Sequence, residues 1–309
     1  KIAVQVYHAG RETDSGITGM RPVAPSAIQD PTKPETPHEL TIAEIQELVE
    51  KFAQAIRRCQ EAGYDAIELH GAHGYLINQF VSPFSNKRTD AYGGNLMNRL
   101  RFPLEIIRRA KELVGGDFPM IYRISADEFV EGGLTIEDTK IIAQILEEAG
   151  IACLHVSAGV YKSGYLPSAP SAERTGVFFP YAKAIKEVVS IPVIAVNKIT
   201  TPFIAESVLK QGIADLVAIG RGSLADPEFP KKVQEGRADE ILECIGCWQG
   251  CQGRIAKQLP VSCLVNPRTG KEAEYEIRPG AQRKKVMVIG GGPAGMEAAI
   301  VAAQRGHDV

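Results

Sequence analysis

AIELHGAHGY, residues 66–75, reads as a short strand that runs straight into a cluster of polar, chemically capable side chains. His70 closes the apolar run Ala66–His70, and His73 and Tyr75 fall on the loop after it. Five more runs have the same character: Ile2–His8, Met120–Ser125, Cys153–Ser157, Val193–Asn197 and Leu216–Gly220. Near-continuous apolar runs suit strands covered on both faces. Amphipathic helical patterns lie between them. Thr41–Gly63 opens with a capping box, Thr41 to Glu44, and keeps apolar residues at Ile45, Leu48, Val49, Phe52 and Ile56. Further helices are predicted at about 95–114, 135–149, 179–189, 201–211 and 227–235, and Gly63, Gly150 and Gly212 suit helix C-caps.

Alternating strands and helices imply a parallel α/β sheet. No glycine-rich phosphate loop follows the first strand, which disfavours an open doubly wound sheet beginning there. Polar residues gather instead at strand C-termini: His8, His70, Arg123 with Ser125, Asn197 and Arg221. A TIM (β/α)8 barrel collects strand ends into one mouth. Such a barrel needs eight strands and six are counted, so two βα units are expected to precede Lys1. The 309 residues alone are then expected to expose open sheet edges and to aggregate. The expected organisation is an incomplete barrel over 1–240, a cysteine-bearing segment with linker over 241–283, and the start of a Rossmann-type domain over 284–309.

Composition narrows the class. Hydrophobic residues make up 44% and charged residues 23%, with a net charge of −2. That is an ordinary globular chain without the basic footprint of a nucleic-acid binder. Val286–Ala303 is apolar enough to suggest a membrane span, but it contains Glu297, Pro293 and four glycines, and a nucleotide turn explains it better. Two long Pro- and Gly-bearing segments, Gly10–Glu39 and Lys162–Val177, follow strands. They are expected to be loops over the mouth, as substrate covers or as plain surface excursions.

The trio His70, His73 and Tyr75 suits one kind of chemistry. Imidazole N–H groups can hold a carbonyl oxygen and stabilise enolate charge, and a phenol can deliver a proton to carbon. A packing histidine, or a zinc site completed by Glu68 on the same strand face, are the other readings. Gln5 carries an amide able to make a two-pronged contact with an imide-like edge, or it is a polar residue of the barrel interior. Arg123 is a strand arginine that needs a partner. Asn197, Lys198, Gly220 and Arg221 close or follow the last two strands, where barrels often build phosphate sites. They could equally be structural contacts at loop starts.

Cys244, Cys247, Cys251 and Cys263 read C-x2-C-x3-C-x11-C, and thiolates so close in sequence bind zinc or an iron–sulfur cluster. The x3 gap departs from the paired knuckles of structural zinc. Cys59 and Cys153 read as small core residues. Gly290, Gly292 and Gly295 form G-x-G-x-x-G after the expected strand Lys285–Ile289 and before an Ala-rich helix, the context of dinucleotide binding. Asp308 comes too early for the acidic ribose ligand of that motif.

HGAHGYLINQFVSPFSNKRTDAYGGNLMNRLRF, residues 70–102, resembles the signature of the old yellow enzyme family of NADH:flavin oxidoreductases. The cysteine spacing is similar to its iron–sulfur branch, which includes 2,4-dienoyl-CoA reductases, 2-enoate reductases and trimethylamine dehydrogenase. The resemblance implies that His70 and His73 hold a substrate carbonyl and that Tyr75 protonates the α-carbon. It implies that Gln5 reads the FMN pyrimidine edge, that Arg123 lies beside N1 and O2 of the flavin, and that Asn197, Lys198, Gly220 and Arg221 hold the FMN phosphate. It implies a [4Fe–4S] cluster on the four cysteines and an FAD and NAD(P)H domain beginning at the glycine turn. The expected function is reduction of an activated C=C bond in an unsaturated acid, thioester or enone, with NAD(P)H electrons relayed through FAD and [4Fe–4S]. An oxidative flavoenzyme of the amine-dehydrogenase type is the alternative, and a non-catalytic electron-transfer subunit a third. A homo-oligomer is compatible with all three. Thiolate-held iron implies a reducing, cytoplasmic setting.

Overall fold

The computed structural model describes residues 1–164 and 166–309. It divides into two compact units, Lys1–Gly246 and Cys247–Val309.

In the first unit, strands and helices alternate: β1 Ala3–Val6, α1 Ile42–Glu61, β2 Ala66–Gly71, α2 Leu76–Val81, α3 Leu96–Val114, β3 Met120–Ser125, α4 Ile136–Glu148, β4 Cys153–Ser157, α5 Phe179–Lys186, β5 Val193–Ala195, α6 Pro202–Lys210 and β6 Leu216–Val217. Two short helices, α7 Arg221–Ala225 and α8 Phe229–Gln234, follow. Among the described residues the strands form one six-stranded sheet in chain order, every neighbour parallel. This is a sequential βα array of TIM-barrel type.

The elements form for reasons visible in the chain. Thr41 caps α1, with its hydroxyl facing the Glu44 N–H and the Glu44 carboxylate returning to the Thr41 N–H at 2.7 Å. Gly63, Gly150 and Gly212 take positive φ of 86°, 86° and 64° just past α1, α4 and α6. One face of the sheet is apolar: Ile67 and Leu69 of β2, Met120 and Tyr122 of β3 and Leu154 of β4 share a core with Ile45, Phe52 and Ile56 of α1 and Phe102 and Ile106 of α3. Residues in between, Glu68, His70, Arg123 and His155, fall on the opposite face by the period of two.

Three of the predicted strands are shorter than expected. β1 stops at Val6, β5 at Ala195 and β6 at Val217, so His8, Asn197 and Gly220 lie on loops beyond the ladder. Asn197 and Lys198 take φ of 111° and 49°, which a strand cannot accommodate. The segment Gly10–Glu39 carries a four-residue helix, Ser15–Thr18, and a two-stranded parallel sheet, Val23–Ala24 with His38–Glu39. Lys162–Val177 begins in a 3-10 turn, and Tyr165 within it lies outside the described residues.

In the second unit the expected strand Lys285–Ile289 is reduced to one parallel bridge, Lys285 to Asp308. A ladder needs a partner along its length, and among the described residues only Asp308 supplies one. The expected helix is present at Pro293–Gln304. No helix of the described residues is long and apolar enough to cross a membrane.

Gly71 ends β2 where the backbone runs against Tyr122. A Cβ there would lie 2.1 Å from that ring. Gly71→Ala is therefore expected to cost about 1–3 kcal/mol. The check is a lower urea midpoint at unchanged slope.

Candidate functional site

β2 delivers His70 to its end, and the turn after it places His73 and Tyr75. His73 has a φ of 61°, a left-handed conformation uncommon outside glycine and found often at functional sites. The turn is tied to β3 and β4: the His73 N–H donates to Ser125 Oγ at 2.9 Å, and Ser125 Oγ donates to the Gly159 carbonyl at 2.9 Å. The backbone of His73 also bridges to Val160.

The two imidazoles touch each other, Nδ1 of His73 lying 3.4 Å from Nε2 of His70. His70 Nδ1 accepts the Ala72 N–H, so a neutral His70 carries its proton on Nε2 and donates it to His73. His73 then carries its own proton on Nε2, which lies 2.7 Å from Ser157 Oγ. Burial, reinforced by the Arg123 charge, pulls His70 down to about 3 and His73 well below the ordinary histidine range. Both are neutral hydrogen-bonding groups at neutral pH. Gripping one carbonyl with both rings exchanges the 3.4 Å contact for the ligand and requires His73 to take its other tautomer, with the proton on Nδ1 and Nε2 accepting from the Ser157 hydroxyl.

Tyr75 packs edge-on against His70, with ring centroids 4.8 Å apart, and against Tyr7 at 5.3 Å. Its hydroxyl lies 3.0 Å from that of Tyr161. Burial pushes the Tyr75 phenol above its ordinary value, so it holds its proton at neutral pH. Lys33 from the long first loop places its ammonium 4.9 Å from the Tyr161 ring centroid. Glu12 is buried nearby, with one carboxylate oxygen lacking a partner among the described residues. Burial, with Asp30 adding to it, raises its carboxyl to about 8 against the pull of Arg11.

Below this cluster, Arg123 stands between His70 and His155 in the ladder. Glu68 does not complete a zinc site with His70 and His73. It accepts from His155 Nδ1 at 2.7 Å and from the Gln5 amide. Burial works against the Glu68 charge, but the hydrogen bonds and the Arg123 and His155 electrostatics together hold its carboxyl below the usual range. Among the described residues, no group of three or more His, Cys, Asp or Glu side chains is arranged to hold a metal ion.

A pocket opens beyond the ends of β3, β5 and β6, lined by Arg123, Asn197, Lys198, Gly220 and Arg221 among others. Within it Arg123 Nε, Asn197 Oδ1 and Arg221 Nη1 are buried with no hydrogen-bond partner among the described residues. Buried polar atoms without partners are costly and mark where a ligand supplies the missing bonds. Two guanidinium donors fit an anionic group, and an amide oxygen fits an N–H or O–H of the same ligand. A Cβ at Gly220 would meet no protein atom within 4 Å, which leaves room for a ligand. Lys198 is engaged already, its ammonium donating to the carbonyls of Ser171 and Glu173 and so pinning the second long loop.

All four clustered cysteines are free thiols of intermediate burial. Cys244 belongs to the first unit and Cys247, Cys251 and Cys263 to the second. Within the second unit a Cβ on Gly250 would lie 2.4 Å from the Ser262 carbonyl oxygen, so the chain beside Cys251 is pressed against the chain beside Cys263. In the glycine turn, Gly290 takes a φ of 107°, and a Cβ on Gly295 would lie 1.9 Å from the Gly290 oxygen. Only glycine fits there. Asp308 bonds Arg283 at 3.0 Å.

Sequence reasoning marked Ser125 as a polar strand-end residue without a partner, and it missed Tyr161, Ser157, Glu12 and Lys33. Ser125, Ser157 and Tyr161 bond the trio from distant parts of the chain, and Lys33 approaches it through Tyr161. The only hint for Ser157 was that it ends a strand, as Ser125 does.

With this geometry in place, known proteins give its context. The model of the NADH:flavin oxidoreductase / NADH oxidase family matches residues 1–240. An NADH oxidase from Thermoanaerobacter brockii is 54% identical over 100% of this chain and 48% of its own length. A cinnamate reductase from Clostridium sporogenes is 40% identical over 97% of this chain and 48% of its own. The structure of a 2-naphthoyl-CoA reductase with 2-naphthoyl-CoA superposes with a TM-score of 0.94 at 35% identity, over 99% of this chain and 49% of that one. The chain thus spans about half the length of the relatives it matches.

The neutral imidazoles carry a pH signature. An unfolded histidine takes up a proton near 6.5, whereas folded His70 resists it to about 3. Their contribution to stability is therefore complete above about 6.5 and is lost as the pH falls toward the folded value. Histidine NMR is expected to show His70 and His73 neutral and untitrated from about pH 5 to 8. A charged imidazole at pH 7 in either position would contradict the assignment.

Proposed function

The chain belongs to the NADH:flavin oxidoreductase / NADH oxidase family, and on that premise we propose that it carries the flavin site of an NAD(P)H-dependent enzyme reducing activated C=C bonds. The substrate class is an unsaturated acid or acyl-thioester of the enoate or dienoyl-CoA kind. The observation that carries this reading is the contact of two neutral imidazoles, His70 and His73, with a protonated phenol, Tyr75, at one strand end. Neutral N–H donors polarise a carbonyl without competing for its proton, and they act best where water is excluded. In this reading His70 and His73 grip the carbonyl oxygen of the substrate. Tyr75 gives its hydroxyl proton to the α-carbon.

The FMN fits the chain through the unpartnered atoms of Arg123, Asn197 and Arg221, with Gly220 and Lys198 beside them. When bound, the flavin supplies the hydride for the β-carbon. Gln5, whose amide N–H₂ is engaged by Glu68, keeps its amide oxygen for the pyrimidine edge. Arg123 keeps a positive charge beside the site, suited to negative charge developing on a reduced ring. Cys244, Cys247, Cys251 and Cys263 would hold [4Fe–4S], a carrier of single electrons. Gly290, Gly292 and Gly295 would open an FAD or NAD(P)H domain, supported by the constrained turn at Gly290 and Gly295.

Amine oxidation is the second reading. Tyr7, Tyr75 and Tyr161 form an aromatic cluster that could face a cation. Against it, the Lys33 ammonium already lies over the Tyr161 ring, and a second cation there would be repelled.

The test is anaerobic reduction of the flavin-loaded enzyme with NADH, followed by unsaturated acids, thioesters, enones and amines, with flavin absorbance as the readout. Reoxidation by one alkene class is expected. Tyr75→Phe is expected to slow that step by about 10²–10⁴-fold while the enzyme still accepts electrons from NADH. Arg221→Ala is expected to weaken FMN retention, measured as release on dilution. Bleaching of the flavin by amines, with no alkene able to reoxidise it, would overturn the reading.

A further inference from the structure

We propose that Tyr161 is a positioning residue for the proton donor: its hydroxyl donates to the Tyr75 oxygen, leaving the Tyr75 hydrogen for the substrate and holding the phenolate that remains. The inference rests on the reductase reading above.

The two phenol oxygens are 3.0 Å apart, and only one of the two hydrogens can lie between them. Were Tyr75 the donor, its hydrogen would point at Tyr161 and away from any alkene. With Tyr161 as donor, the Tyr75 hydrogen is free. The fold fixes this pairing. Tyr161 opens the 3-10 turn Tyr161–Ser163 after β4, and its neighbour Val160 is bridged to His73 in the loop that carries Tyr75. Ser125 clamps the same two loops, accepting from the His73 N–H and donating to the Gly159 carbonyl. The rings meet edge-on with centroids 5.7 Å apart. The register of the loops thus sets the approach of one hydroxyl to the other.

The surroundings of the pair act unequally. Burial most strongly disfavours phenolate on Tyr75, whereas the Tyr161 hydrogen bond favours it and the Arg123 charge adds to that favourable side. His70, whose ring edge meets Tyr75, is neutral. Burial raises the Tyr161 phenol above its ordinary range, so Tyr161 keeps its hydrogen as the donor of the pair, and the Lys33 ammonium lies 4.9 Å from its ring centroid.

The chemical step balances as follows. When bound, reduced FMN would supply the hydride for the β-carbon C–H bond; the C=C π pair becomes the double bond between the α-carbon and the carbonyl carbon, and the C=O π pair goes to the oxygen held by His70 and His73. As the enolate collapses, the α-carbon takes the Tyr75 proton and the Tyr75 O–H bond breaks. The Tyr75 phenolate accepts the Tyr161 hydrogen bond, which becomes charge-assisted and about twice as strong. Water later returns a proton to Tyr75. That strengthening occurs only after proton transfer has begun, so it lowers the barrier rather than the ground state.

The experiment uses the flavin-loaded enzyme with Tyr161→Phe, Tyr161→His, Tyr75→Phe and the Tyr75→Phe/Tyr161→Phe double variant. Tyr161→Phe is expected to slow reoxidation by alkene about 10- to 100-fold, with the loss on that step exceeding any on reduction by NADH. Tyr161→His keeps a donor and is expected to recover part of the rate. It also carries the comparison if the phenylalanine variant loses its flavin. The double variant is expected to be no slower than Tyr75→Phe alone, because Tyr161 acts only through Tyr75. Independently of turnover, ζ-carbon NMR of labelled tyrosine is expected to show Tyr75 ionising at higher pH in Tyr161→Phe. A wild-type rate in Tyr161→Phe, losses that multiply in the double variant, or an unmoved Tyr75 titration would overturn the inference. If no alkene reoxidises the unaltered enzyme, the reductase reading falls, and the Tyr75 titration still decides whether the hydrogen bond is made as stated.

Discussion

Every neighbouring pair in the six-stranded sheet is parallel, and that common direction determines what the site can contain. A parallel ladder puts all strand C-termini on one edge, so residues far apart in the chain meet there without a dedicated scaffold. His70, next to the last residue of β2, and Ser125 and Ser157, which end β3 and β4, are hydrogen-bonded through His73. Arg123 lies in register between His70 and His155. One face of the sheet is closed by helices into an apolar core, and the period of two sends polar residues to the other. The same arrangement leaves guanidinium and amide atoms buried near the mouth without partners among the described residues, which a cofactor can satisfy.

Burial then decides the chemistry of each group. Imidazoles that would titrate near neutrality in water are held neutral here, and Tyr75 is held protonated. The charge beside them comes from Arg123, and the nearest strand carboxylate, Glu68, is occupied by His155 and Gln5. A site with neutral donors, one protonated phenol and a fixed positive charge suits the passing of charge onto a carbonyl oxygen. It is poorly suited to holding a divalent metal, which would need the carboxylate the sheet has already used.

Much of this was legible in the chain. All six strands and the six main helices are at their expected places, because continuous apolar runs and the capping box at Thr41 carry their own local reasons. The trio was legible because its members are neighbours in sequence. The partners were not. Tyr161 lies 86 residues from Tyr75 and Ser157 84 residues from His73, and nothing local marks Tyr161, while Ser157 shows only as the end of an apolar run. Backbone conformation was equally hidden: positive φ at Asn197 and Lys198 ends a strand that the apolar pattern continued. Lys285–Ile289 has strand composition but, among the described residues, only a single bridging partner in Asp308. Strand propensity describes fit to a neighbour, so it misleads where a neighbour is lacking.

The central claim is that Tyr75 hands a proton to one face of a carbon beside a carbonyl gripped by His70 and His73. The most direct measurement is the stereochemistry of the product formed in D2O from an unsaturated acid substituted at the α-carbon, read by NMR. The account predicts deuterium at the α-carbon in a single configuration, set by a donor fixed on one side. An equal mixture of α-epimers, as protonation by free water would give, would contradict it.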